Sequence, residues 1–513
     1  MVILKLLLII IFTAFTNKNV LCQNGFVFEK NDKYALQAFD LIETKDGDYI
    51  IVSNRFDYFN SKYKTSKLIK LSPSGELLLE LNLATIDSSM IITDIHDLPE
   101  RDGEYIAVGI YFDEVSSDIR YGYIVKFNEN FEILERNIIQ LPLKFEIMKS
   151  LLDSDNFVVI GGSYRDSISN KFNIGIVRLL MTQGMHDYNY YEIEGPQFFS
   201  DIVEIDESPL RYGIAVNGAG IPGQIAYLMQ LDSNLQHIEN TAIPYINGLS
   251  SGTVSNYTDS QLHFTGLYFP ADSLIEIGGT VIAIDTNKTK NGDFGKSTLV
   301  RTNLNLEPSI HLLFGDGIMP DYPAPNRAIS ISDFGYIYAG GIKNLKGMQW
   351  PFQQEPSWIR VNKLDTELNI IWEKHFGGDA YYHVNCVTAT SDGGVILSGF
   401  KTYPNQAPLM NLLVIKLKPD GTVSLDENPA EERSSDISIF PNPATTVTWL
   451  QLPENIVLEK ARVELYSSSG RQLYKAQPTS YFHKIETADL FKGLYLVRLW
   501  DGEGWMVEKL VVR

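Results

Sequence analysis

The sequence predicts an all-β protein: a β-propeller of about seven four-stranded blades, followed by a small Ig-like β-sandwich. Two features predict this. One phrase recurs from Asp46 to Gly399: a turn of Asp, Asn or Gly, then β-branched and aromatic residues, then Gly or Ser. Beyond Ile437 the phrase stops, and six or seven short alternating strands follow.

The chain opens on an apolar run, residues 3–15, broken only by Lys5 and Thr13. Its length suits the hydrophobic region of a signal peptide rather than a membrane span. Val20-Leu21-Cys22 offers small residues at the two positions a signal peptidase reads, so residues 1–22 are expected to be removed and Gln23 to begin the mature chain. Lipidation at Cys22 is the alternative, and the bulk of Leu21 disfavours it. No later segment is apolar enough for a transmembrane span. Cleavage leaves Cys386 as the sole thiol, in a strand-like run where a small buried side chain is expected rather than a nucleophile.

Residues 23–425 carry the repeat. Clear copies begin at Asp46, Asp102, Asp155, Asp333 and Asp392, with weaker ones around residues 212–216 and 261–266. The first three starts lie 56 and 53 residues apart, and the last two 59. That period suits four strands with decorated loops. Asp-Gly supplies the positive φ that a tight hairpin needs between the first two strands, and Pro73-Ser74-Gly75 and Pro419-Asp420-Gly421 do the same between the third and fourth. Seven units fit, with six or eight within the spacing. The seventh lacks a good fourth strand, whereas Val27-Phe28-Glu29-Lys30 is similar to Ile371-Trp372-Glu373-Lys374, the fourth strand of the sixth. The N-terminal segment is therefore expected to complete the last blade and remove an open sheet edge.

Ser391-Asp392-Gly393-Gly394 and Trp372-Glu373-Lys374-His375-Phe376-Gly377-Gly378 resemble the blade motifs of a broad class of secreted bacterial propellers. The resemblance implies an architecture and no particular ligand.

Residues 426–436 are acidic and polar without apolar periodicity, and they read as a linker. Residues 437–513 then carry Phe440-Pro441-Asn442-Pro443, the turn ending at Gly470, the strand opening Gly493-Leu494-Tyr495, and Lys509 in a basic, hydrophobic ending. Another Ig-like binding module is the plain reading of such strands. Together the motifs resemble the type A C-terminal sorting domain of type IX secretion cargo. The resemblance implies secretion or a cell-surface, outer-membrane-attached location. It also implies two partners, the type IX machinery and a sorting peptidase that removes the module.

The chain has 513 residues, 44% of them hydrophobic, and a formal net charge of −20. This acidity argues against nucleic acid as a partner and leaves neutral glycans, peptides and other envelope proteins open. No His-Glu-x-x-His, Gly-x-Ser-x-Gly, phosphate loop or paired Cys-x-x-Cys occurs, so no catalytic residue, metal or cofactor is assigned. Residues 285–293 have a flavour of a calcium loop, but Lys296 stands where its glutamate belongs. His383 is expected to be structural, near the channel mouth.

The candidate ligand-binding residues are aromatics placed on one face of the ring: Phe56, Tyr58, Trp350, Phe352, Trp358, Tyr381 and Tyr382. Exposed rings with Asn, Asp and Gln nearby suit a sugar or a peptide. Their alternative role is to pack on one another and order long loops. A second function class is a glycan-cleaving hydrolase or lyase. Acidic, His or Arg side chains converging in the channel mouth would distinguish it.

Overall fold

The computed structural model describes residues 25–32, 34–57, 62–83, 89–98, 101, 103–112, 120–140, 145–165, 172–180, 184–192, 197–207, 209–218, 226–243, 254–258, 261–268, 274–277, 280–284, 296–303, 305–315, 319, 321–344, 356–403, 410–423, 437–452, 456–467, 472–500 and 505–513. The expected signal sequence with Cys22, the loop 285–293 and the linker 426–436 lie outside them.

Among the described residues, seven antiparallel blade sheets follow one another along the body, each running from an inner to an outer strand. The inner strands are Ala35–Glu43, Ser89–Asp97, Phe145–Leu152, Gln197–Glu207, Val254–Thr258, the split pair Asp321–Pro323 and Ile329–Ile331, and Tyr381–Ala389. Each packs on the next and the last returns to the first, which makes a closed ring. In the fifth blade a hairpin, Leu274–Ile277 with Thr280–Ile284, is inserted between the second and third strands.

Burial follows position within a blade. The middle strands Val395–Thr402 and Asn411–Leu417 are buried at every residue, because neighbouring blades cover both faces. Ile133–Gln140, an outer strand, is exposed at every second residue.

Phe26–Lys30 pairs antiparallel with Asn411–Leu417, Phe26 opposite Lys416 and Lys30 opposite Leu412. The described N-terminus is thus the outer strand of the seventh blade. Phe26 enters a core cluster with Tyr49 and Ile69 of the first blade and Ile396 and Val414 of the seventh. Lys30 reaches the first blade's outer strand through Glu80, at 2.8 Å.

Two kinds of turn shape the blades. At the first, Gly47, Gly103 and Gly393 of Asp-Gly, Asn156 of Asp-Asn and Gly335 of Asp333-Phe334-Gly335 take positive φ. At the second, Phe131, Leu235, Leu306 and Leu368 occupy the left-handed region with φ of 61°, 58°, 54° and 64°. That conformation costs a branched side chain about 1–2 kcal/mol. All four side chains are buried, which is worth roughly 1.5–3 kcal/mol each and outweighs the strain.

The C-terminal module is a sandwich of two sheets. One contains Ser438–Phe440, Val447–Gln451 and Phe482–Glu486, and the other Gln472–Ala476, Arg462–Ser467, Gly493–Trp500 and Trp505–Val512. Its core includes Leu450, Val463, Ile485, Val497 and Leu510.

Deleting residues 25–31 should lower the melting temperature of the whole ring by several degrees, since it opens the seventh blade's edge and unseats Phe26. Thermal unfolding followed by circular dichroism measures this, and an unchanged midpoint would contradict it.

Candidate functional site

The inner strands share an irregularity that alternation in the sequence conceals. Register slips by one residue between Ala38 and Asp40, Ile92 and Asp94, Ile147 and Lys149, Phe199 and Asp201, and Val384 and Cys386. A bulge at the same height in five blades re-aims the residue that follows it. Asp40, Asp94, Lys149, Asp201 and Cys386 are all buried there.

In the sixth blade the interruption is larger. Pro323 lies opposite Gly341 and Ile329 opposite Ala339, so residues 324–328 stand against Gly340 alone. The excess chain crosses the axis of the ring. Asn326 Nδ2 donates to the Phe39 carbonyl at 3.0 Å and reaches the Thr93 carbonyl at 3.5 Å, while the Asn326 carbonyl accepts from Lys149 Nζ. The Asn326 and Arg327 amides donate to the Asn385 carbonyl at 2.9 and 3.0 Å. One segment of the sixth blade thereby touches the first, second, third and seventh.

The charges around this plug are engaged. Arg327 Nη2 lies 3.0 and 3.1 Å from the two Asp40 oxygens, and its Nη1 donates to Thr388 Oγ1 at 3.1 Å. Asp40 also accepts from the Cys386 thiol at 3.1 Å and from the Ile95 amide of the second blade at 3.2 Å. Asp94 accepts from the Ser150 amide of the third blade and from Thr93 Oγ1, both at 2.9 Å, with Lys149 Nζ at 3.9 Å. His96 Nε2 shares the Ser150 hydroxyl at 2.8 Å.

Burial pushes the Asp94 carboxyl up to about 7; Asp40 and Asp201 add to the rise and Lys149 opposes it. Burial likewise pushes His96 down to about 4, helped by Arg327 and Lys149 and opposed by Asp40. The Cys386 thiol rises to about 12 on burial, too high for a thiolate nucleophile at neutral pH. His383 stacks on Phe400 at 4.7 Å, and burial lowers it to about 4.

The aromatic candidates fall differently from expectation. Tyr58, Trp350 and Phe352 lie outside the described residues. Trp358, Tyr381 and Tyr382 are not exposed: they are 1%, 5% and 9% accessible. Phe56 is half-buried against Ala35, Phe400 and Met410, at the end of a strand that runs on through Asp57. Trp358 is covered because the C-terminal module stands over it, with its ring stacked on Phe482 at 4.4 Å and edge-on to Trp449 at 6.1 Å.

Trp358 and Tyr382 nevertheless both pack against the Gly377-Gly378 pair. A Cβ on Gly377 would lie 3.0 Å from the Tyr382 ring, and one on Gly378 would lie 2.7 Å from Trp358 Nε1. Both glycines have positive φ, 138° and 96°. The Ser357 hydroxyl clamps the Tyr382 backbone, donating to its carbonyl and accepting from its amide, each at 2.7 Å. Beside them Lys401 Nζ lies 5.0 Å from the Tyr382 ring and 4.4 Å from that of Tyr403, and 3.4 Å from both Glu29 and Asp379. Tyr382 donates to Asp379 at 2.6 Å. Sequence reasoning missed Lys401, Asp379, Glu29 and Tyr403, which lie on different strands and loops. The Gly-Gly pair was the signal that a ring packs close to the backbone.

In the terminal module, Phe440-Pro441 and Asn442-Pro443 are cis peptides. Asn442 Oδ1 accepts from the Val511 amide at 2.7 Å, and Asn442 Nδ2 donates to the Lys509 carbonyl. Ala444 is bonded to Val511 and Arg513. The Pro-Asn-Pro motif is thus pinned to the last strand. Tyr495 is buried, Lys509 is exposed, and Gly470 lies outside the described residues.

Residues 438–513 match the model of the secretion system C-terminal sorting domain. The module is a secretion sorting domain. The chain is therefore a β-propeller protein carried by type IX secretion, whose machinery engages the sorting domain, and it is destined for secretion or the cell surface. No curated protein matches it in sequence. Among solved structures it is similar to the β-propeller domain of the Trilobed protease from Pyrococcus furiosus, with TM-score 0.41 and 9% identity over 77% of this chain and 99% of that one. It is also similar to an α-L-arabinofuranosidase of Fusarium graminearum, with TM-score 0.40 and 8% identity over 77% and 97%. Likeness at this level adds nothing to what the sheet order shows, and it says nothing of a ligand.

The Asp94 and His96 shifts act on stability with opposite signs. Folded Asp94 holds its proton to about pH 7, whereas the unfolded chain releases it near 3.8, so its ionisation removes stability as pH rises through that window. Folded His96 stays neutral down to about pH 4 while the unfolded chain binds a proton near 6.5, so its contribution grows as pH rises. Relative to the parent, Asp94→Asn should gain stability from pH 4 to 7, and His96→Gln should lose it from pH 4 to 6.5. Each change should be on the order of 1 kcal/mol per pH unit. Urea midpoints across this range test both, and parallel profiles would refute the assignment.

Proposed function

We propose that the exported propeller is a binding protein for a neutral glycan, gripped at the mouth of the sixth and seventh blades by Trp358, Tyr382, Tyr403 and Lys401. The observation that supports this is the preorganised cluster around Gly377-Gly378: two rings packed against the glycine backbone, the Tyr382 main chain clamped by Ser357, and a cation held between two carboxylates. Flat rings beside fixed donors and acceptors match a sugar, which offers apolar C–H faces and hydroxyls together. The net charge of −20 disfavours acidic polymers. A sorting peptidase acting on the terminal module belongs to the same proposal.

One observation favours a second reading, a glycan-cleaving enzyme working in the channel. Asp94 has a carboxyl raised to about 7, beside Asp40 paired with Arg327, and such divergent environments suit acid and base roles. The hydrogen bonds that tie Asp40 and Asp94 to the next blade weigh against it.

Tyr403→Ala should weaken glycan binding roughly tenfold, the loss of one stacking contact, whereas Tyr403→Phe, which keeps the ring and drops the bond to Glu29, should retain it. Glycan arrays and calorimetry on protein recovered from outside the producing cell measure this, and undiminished affinity would sink the reading. Release of reducing ends from polysaccharides, abolished by Asp94→Asn in folded protein, would establish the enzyme instead.

A further inference from the structure

Trp358 is 1% accessible, yet its Nε1 donor is buried with no acceptor among the described residues. A buried donor left unmade is a standing cost, and native structures rarely keep one at a contact that is final. The donor edge of the indole lies against Gly378, where a Cβ would come within 2.7 Å of Nε1, and the sorting domain covers the face of the ring. Phe482 stacks on the indole at 4.4 Å and 28°, Trp449 meets it edge-on at 6.1 Å, and Lys343 Nζ of the sixth blade lies 4.9 Å from the Phe482 ring. None of these groups offers the indole N–H an oxygen. The contact also lies beside Gly377-Gly378 and Tyr382, within the cluster proposed above to hold sugar.

We infer that the sorting domain is a cover for the glycan site, with Phe482 occupying the place on Trp358 where a sugar ring stacks. The phenyl ring reproduces the apolar half of that contact and itself offers the indole N–H no acceptor. Binding is therefore off while the sorting domain is seated and on when it is lifted. This rests on the glycan reading of the cluster, and the two fail in different ways.

Two forms of the full chain test it. Phe482→Ala removes the stacking ring. Because Phe482 is itself buried, a second form keeps every described residue and places a specific protease site within 426–436, compared before and after cleavage. Trp358→Phe in each background isolates the Trp358 contribution to fluorescence from the 6 tryptophans. Opening should shift Trp358 emission to the red and make it quenchable by acrylamide, and signals should appear on a glycan array that the intact chain leaves blank. If Trp358 stays protected in both forms, or the intact chain binds the array as well as the opened one, the cover is overturned. If Trp358 becomes accessible and the array remains blank, the cover stands and the glycan reading falls; signals confined to a peptide array would replace the sugar with a peptide.

Discussion

Seven sheets can close into a ring only if the amides freed on the axis side find acceptors, and here side chains of the neighbouring blade supply many of them. The inner-strand bulge makes this work. It turns Asp40 toward the Ile95 amide of the second blade and Asp94 toward the Ser150 amide of the third. From the second strand of the third blade, Ser163 likewise accepts from the Phe199 amide of the fourth at 2.9 Å. A carboxylate in this position satisfies a buried donor with a charge-assisted bond, which is stronger than a neutral one. Arg327 of the sixth blade balances the Asp40 charge, whereas Asp94 keeps its proton up to about pH 7 beside Lys149 of the third.

The plug at Asn326 follows from the same requirement. A ring of this size leaves an axial space lined by polar backbone, and the widened bulge of the sixth blade fills it with an amide that bonds the Phe39 and Thr93 carbonyls. Closure at the rim solves a different problem, the open edge of the last sheet. The strand Phe26–Lys30 covers that edge and carries Phe26 into a core shared by the first and last blades.

The proposed glycan site sits apart from this scaffold. The axis is committed to holding blades together, whereas the cluster at the mouth of the sixth and seventh blades has rings, a cation and carboxylates that no strand pairing requires. Phe482 and Trp449 of the sorting domain stand over its tryptophan, so the export module and the propeller share a surface.

The sequence by itself determined the blade repeat, the Asp-Gly turns and the terminal module, because alternation, turn chemistry and the Pro-Asn-Pro motif are local properties that neighbouring residues fix. Phe131, Leu235, Leu306 and Leu368 escaped it: a left-handed leucine or phenylalanine is tolerated only once the folded core buries its side chain. The meeting of Asp40, Asp94, Arg327 and Lys149 escaped it too, since an acidic chain offers carboxylates everywhere and only seven blades converging on one axis select among them. Tertiary structure alone decided that Trp358 is covered, because its neighbours Trp449 and Phe482 lie about a hundred residues away in a different domain.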